Sequence, residues 1–136
     1  MKKLKNLYVL IAEDDADDGE VISESFHKHP MFSRVKIVRN GKELLDYLND
    51  DEKEKPDLVL TDLNMPIVNG LEVLKAICQN PTLKNIISFA YSTSSNPIYQ
   101  AKCIDFGARA FLTKPYEIKD FDEIPQKIVQ ALLQNL

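Results

Sequence analysis

The sequence predicts a three-layer α/β fold, a parallel sheet with helices on both faces. Three observations carry it. Short apolar runs alternate with segments of helical period, the alternation repeats five times without an internal repeat or linker, and cap or turn residues separate the units. Strict β-α alternation implies right-handed crossovers and one parallel sheet.

Each element follows from its pattern. Leu7-Tyr8-Val9-Leu10-Ile11-Ala12 is a continuous apolar run, as in a strand covered on both faces. Val21, Ile22 and Phe26 then recur at helical spacing as far as Pro30, with Ser25 and His29 near the same face. Residues 34–38 alternate polar and apolar, the pattern of an edge strand. Asn40 with Glu43 three residues later marks an N-cap before Leu44, Leu45 and Leu48, and the charge run at 50–55 reads as a loop before Pro56. Strand three is 58–61, and Leu71, Leu74, Ile77 and Cys78 form a stripe closed by Asn80-Pro81. Strand four, 86–91, places Ser88 mid-strand, where a buried hydroxyl needs a partner. Pro97 opens a fourth helix through Ile104, Gly107 caps it, and 110–113 is strand five. The last helix buries Ile124, Ile128, Val129, Leu132 and Leu133. Pro125 lacks the N–H of a helix interior, so this helix starts near Asp122 or Glu123 and leaves 116–121 irregular.

Composition narrows the function. The 136 residues, 44% hydrophobic and 28% charged, suit one domain over 1–136 with no output domain attached. Seventeen basic against 21 acidic side chains leave a net charge of −4, which offers no basic field for direct nucleic-acid binding. The run 7–12 is far shorter than the roughly 20 residues of a membrane span, and Met1-Lys2-Lys3 leads into no signal-type core. The expectation is a cytoplasmic protein without membrane insertion. Cys78 and Cys103 lack metal-type spacing and read as buried free thiols.

In a parallel α/β sheet, ligands bind beyond the carboxyl ends of the strands. The loops there carry Glu13-Asp14-Asp15, Asp62-Leu63-Asn64-Met65-Pro66, Ser92-Thr93-Ser94 and Lys114-Pro115. Three acids at one sheet edge are tolerable if a hard cation sits among them or their pKa values rise, and magnesium suits oxygen ligands. A phosphoryl group would lie between that metal, the Lys114 ammonium and the Ser92 hydroxyl. Singly, each piece has a plainer reading: an acidic turn or helix start, an Asx turn at Asp62, a helix-start hydroxyl at Ser92, a Lys-Pro turn. Their placement on one edge, in a chemically sensible order, favours the functional reading.

These residues resemble the receiver domain of two-component response regulators. The resemblance spans nearly the whole chain, through Val9-Leu10-Ile11-Ala12-Glu13-Asp14-Asp15, Leu60-Thr61-Asp62-Leu63-Asn64-Met65-Pro66, Asn69-Gly70 and Phe111-Leu112-Thr113-Lys114-Pro115. Within the family, Glu13, Asp14 and Asp18 with the Leu-Asn-Met-Pro stretch look most like the small receivers related to phytochrome-associated regulators. The resemblance implies a flavodoxin-like sheet of order 2-1-3-4-5 and a phosphorylation-dependent switch that is not an enzyme acting on a separate substrate. It implies Asp62 as phosphoacceptor, Asp14 as direct Mg2+ ligand, Glu13 as ligand through water and Asn64 as ligand through its backbone carbonyl. Ser92 would bond the phosphoryl oxygen, Lys114 would be the cation, Ser92 and Phe111 the switch pair, and Asp15 an outer or solvent-facing acid. It implies a cis Lys114-Pro115 peptide, a sensor histidine kinase as donor, and a downstream protein or phosphotransfer domain as listener. The listener would dock on the face of helix four, strand five and helix five, a face also open to a homodimer.

Three positions depart from the family pattern: Phe111 lacks the commoner tyrosine's hydroxyl, Tyr91 stands where an aliphatic residue is common, and Pro125 falls in helix five. Two other function classes compete. A magnesium-dependent phosphatase with an aspartate nucleophile needs a second acid where Asn64 stands. An unphosphorylated interaction module would have lost the acceptor, the acids or the lysine, all of which are present.

Overall fold

The computed structural model describes residues 4–94 and 96–134. Its sheet has five parallel strands in the order β2-β1-β3-β4-β5, the predicted topology. The elements run β1 (Leu7–Ala12), α1 (Ala16–Lys28), β2 (Phe32–Val38), α2 (Gly41–Asn49), β3 (Leu58–Asp62), α3 (Gly70–Gln79), β4 (Ile87–Ser92), α4 (Pro97–Asp105), β5 (Ala108–Thr113), a short 3-10 helix (Ile118–Asp122) and α5 (Glu123–Leu133).

Side-chain alternation along the central strands builds two cores. Leu7, Val9 and Ile11 of β1 join Leu58 and Leu60 of β3 against Ile22 and Phe26 of α1 and Ile124 and Ile128 of α5. The intervening Tyr8, Leu10 and Ala12, with Val59, face Leu44 and Leu48 of α2 and Val73 and Ile77 of α3. A smaller cluster under α4 holds Leu63, Leu74, Ala90, Cys103 and Ala108. Burying a large aliphatic side chain is worth about 1.5–3 kcal/mol, so the first two clusters dominate cohesion.

Local signals set the helix ends. The carboxylate of Asp15 accepts from the Asp18 N–H, Asn40 from Glu43, and Asn69 forms a capping box with Glu72. Gly70 is required where it is: a Cβ there would lie 2.4 Å from the Asp62 carbonyl oxygen, so α3 can start directly against the end of β3. Pro97 sits in the first turn of α4, and Gly107 at φ 94° closes it by donating to the Ile104 carbonyl.

Several expectations are corrected. The Lys114–Pro115 peptide is not cis; no described peptide bond is. The trans form, the lower-energy isomer, already brings the lysine onto the acids from the end of β5. Residues 118–122 form a 3-10 helix rather than an irregular segment, because Pro125 limits only α5, whose first turn it occupies as expected. Cys78 is exposed while Cys103 is buried. Ile77 takes the inward position on α3, and Cys78, one residue round, is left at the rim beside Gly107. Leu133 points outward for the same reason, beyond buried Leu132. Strands two and five begin earlier than their patterns, at Phe32 and Ala108.

Candidate functional site

The parallel topology gathers the predicted loops at the carboxyl end of the sheet. Glu13 follows β1, Asp62 ends β3, Ser92 ends β4 and Lys114 follows β5, and all four are buried. Four charged or polar side chains under the surface need partners. No buried side-chain polar atom among the described residues lacks one.

Lys114 is the hub. Its Nζ lies 2.6 Å from Glu13 Oε1, 2.9 Å from Asp18 Oδ2 and 3.0 Å from Asp62 Oδ2. Burial alone would lower its pKa, but the bonds to Glu13 and Asp18 and the charge of Asp62 hold it above the usual lysine value. Asp62 keeps its second oxygen, Oδ1, for the Asn64 backbone N–H at 3.0 Å. Burial pushes the Asp62 carboxyl up to about 6; the Asn64 N–H pulls it down, the Glu13 charge adds to the rise and Lys114 opposes it.

Glu13, Asp14 and Asp62 each present a carboxylate oxygen within 4.8 Å of the other two. Asp14 is exposed, yet its pKa is raised by desolvation and by the Glu13 charge. Three convergent hard oxygens fit a divalent cation of the magnesium or manganese kind. Beside them, Ser92 Oγ accepts from the Ser94 N–H at 3.1 Å and from Asn64 Nδ2 at 3.5 Å. Asn64, Ser92 and Ser94 line an open cleft with Leu63, Met65 and Tyr99, giving solvent access next to Asp62.

The structure thus brings Glu13, Asp14, Asp62, Asn64, Ser92 and Lys114 together. Phe111 is set apart, half-buried against the cluster beneath α4. Asp15 is exposed and lies outside the carboxylate triad; its N–H donates to Glu13 Oε2 at 3.1 Å while its carboxylate caps α1.

Two site residues escaped the sequence reading in these roles. Asp18, which the sequence marks only as part of the acidic opening, grips Lys114 from the first turn of α1. Its spacing from Asp15, one helical turn, was the available signal. Tyr91, noted only as a departure, donates its hydroxyl to Glu13 Oε1 at 2.5 Å. Strand alternation, which puts Tyr91 on the face opposite Ala90, could not show that the hydroxyl reaches the acids.

A family model described as the response regulator receiver domain matches residues 9–126. The chain belongs to this family. Receiver domains are phosphorylation-dependent signalling modules, and this chain has their flavodoxin-like fold. It is 29% identical over 132 residues to the response regulator Rcp1 of Synechocystis sp., covering 94% of this receiver and 90% of Rcp1. The Mn(2+)-bound form of Rcp1 superposes with a TM-score of 0.82 over 96% of each chain at 29% identity. The phosphorylated cyanobacterial phytochrome response regulator RcpA does so with a TM-score of 0.85, also at 29% identity over 96% of each chain. A protein-glutamate methylesterase/protein-glutamine glutaminase of Desulfotalea psychrophila is 30% identical over 114 residues, 84% of this receiver but only 30% of that protein's length. Among the described residues, no helix is long and apolar enough to cross a membrane.

Proposed function

We propose that Asp62 is the phosphoacceptor of a signalling switch. The observation that carries this reading is the contrast between the two buried acids on Lys114. The Glu13 side chain is 0% exposed, with both oxygens taken by Tyr91, Lys114 and the Asp15 N–H, whereas the Asp62 side chain is 8% exposed and its chain neighbours Leu63 and Asn64 line an open cleft. Of the two buried acids on Lys114, Asp62 is the one that combines bonds at both oxygens with access for a donor.

An Asp62 oxygen attacks phosphorus, the bond from phosphorus to the donor's leaving group breaks, and the electron pair departs with that group. Lys114 supplies fixed positive charge beside the transferred group, and the Ser92 hydroxyl donates to one of its oxygens. Glu13, Asp14, Asp62 and the Asn64 backbone carbonyl would hold Mg2+, whose charge, when bound, offsets that of the phosphoryl oxygens. Water attack on phosphorus later returns the Asp62 carboxylate and resets the switch.

The added charge of about −1.5 to −2 draws Ser92 and Lys114 toward Asp62 and biases the β4–α4 loop and the Phe111 side chain. A sensor histidine kinase is the donor. A downstream protein or phosphotransfer domain reads the face of α4, β5 and α5, where Ile98, Tyr99 and Ile104 are exposed. The same face is open to a second copy of the chain, and the setting is the cytoplasm. Residues 1–136 act as a single receiver unit.

Intact-mass measurement after incubation with acetyl phosphate and Mg2+ tests the assignment. One phosphoryl group should add to the native protein and none to Asp62→Asn; equal gain in both would overturn it.

A further inference from the structure

We propose that Tyr91 is a positioning residue for phosphoryl transfer, which keeps Glu13 satisfied when Lys114 is drawn onto the phosphoryl group; this rests on the reading of Asp62 as acceptor.

Glu13 Oε1 takes two donors at once, the Tyr91 hydroxyl at 2.5 Å and Lys114 Nζ at 2.6 Å. The carboxylate is wholly enclosed, so water cannot replace a donor that leaves. Lys114 is shared among Glu13, Asp18 and Asp62. A phosphoryl group on Asp62 competes for that ammonium with several oxygens, and whatever Lys114 gives to it is withdrawn from the other two acids. Asp18 lies at the surface, where water can take over. Glu13 Oε1 is then left with the Tyr91 hydroxyl, the Asp15 N–H serving Oε2, and without that phenol the buried oxygen's loss of a donor would resist the transfer.

Tyr91 is built to meet this loss. It pairs with Asp62 across the β3–β4 register, and its ring is packed in the core beneath α1 and α5, so the hydroxyl is held without a free rotor. Its ring also lies 5.2 Å from Lys114 Nζ, close enough for a cation–π attraction that follows the ammonium over a short shift. An aliphatic side chain at this position would provide neither contact. Sharing Oε1 with the ammonium weakens the phenol's bond, so that bond strengthens as the ammonium withdraws, and this differential gain lowers the resistance to moving it.

Tyr91→Phe removes the hydroxyl and keeps the ring. At saturating Mg2+, its phosphorylation by acetyl phosphate should be roughly tenfold slower than the native rate, the size expected for one hydrogen bond to a buried charge. In a Glu13→Ala background the same substitution should change the rate less than twofold, because the group it serves is gone. Mg2+ affinity, followed by calorimetry, should fall in Tyr91→Phe, since Glu13 is then less firmly held toward the cation. Native-like rate and Mg2+ affinity in Tyr91→Phe, or a slowing of the same size in the Glu13→Ala background, would overturn the proposal. Should the native protein gain phosphate and Asp62→Asn gain none while Tyr91→Phe behaves as native, only this proposal fails. Absence of phosphate on the native protein would fail the acceptor assignment itself.

Discussion

The helices on either side of the site are held to the sheet very differently. On one side α1 and α5 press Ile22, Phe26, Ile124, Ile128 and Val129 onto β1, β3 and β4, and the Ser25 hydroxyl of α1 donates to Asp122 at 2.7 Å. On the other, α4 buries only Cys103 and leaves Ile98, Tyr99 and Ile104 in solvent. A helix with one inward side chain has little apolar area to lose on shifting, whereas α5 has five buried positions. The site lies between them, with Lys114 tied to α1 through Asp18 and Ser92 leading into α4. The lesson is mechanical: a charge change at Asp62 meets a rigid wall on one side and a loosely seated helix on the other.

The largest expected effect sharpens the rigid half. Ile128→Ala should lose about 3 kcal/mol of unfolding free energy in urea denaturation, since the α5 core cannot close over the void. A loss below about 1 kcal/mol would mean that this flank is as yielding as the α4 flank.

Next comes the site that separates them. The Asp62 carboxyl is raised to about 6 in the metal-free fold and is close to 3.9 unfolded. A raised acid binds more protons folded than unfolded between those values, so stability falls as pH rises from about 4 to about 6 and is level above. Without divalent cation, Asp62→Asn should therefore be more stable than the native protein by roughly 1–2 kcal/mol at pH 7.5, with the gap closing near pH 4. Thermal melts at both pH values check this, and a gap independent of pH would refute the burial argument.

Ser25→Ala probes the clasp between α1 and the 3-10 helix, and should cost about 1 kcal/mol. The hydroxyl, with help from Lys28, holds the Asp122 carboxyl below its usual range, so this contribution is present at neutral pH and fades as acid protonates Asp122. Stability unchanged in urea at pH 7 would show that the clasp contributes nothing to the flank.

The smallest effect belongs to α4. Ile104→Ala should alter stability by less than about 0.5 kcal/mol, as an exposed side chain removes little buried area. A loss comparable to that of Ile128→Ala would erase the comparison.

Much of this was legible along the chain. The apolar run at 7–12, the cap residues Asp15, Asn40 and Asn69, Pro97 and Gly107 place strands and helices through short-range patterns, because caps and periodicity act within one or two turns. Once the strands are parallel, the carboxyl-end rule puts Glu13, Asp62, Ser92 and Lys114 on one edge. What the sequence could not state is how each side chain divides its contacts. Whether Lys114 bonds one acid or three, whether the Tyr91 hydroxyl meets Glu13, whether Ile77 or Cys78 turns inward and whether the chain after Lys114 needs a cis peptide depend on distances between residues far apart in sequence. Periodicity assigns a face, but hydrogen bonds and ion pairs are decided within a few tenths of an ångström, and only the packed tertiary structure sets those separations.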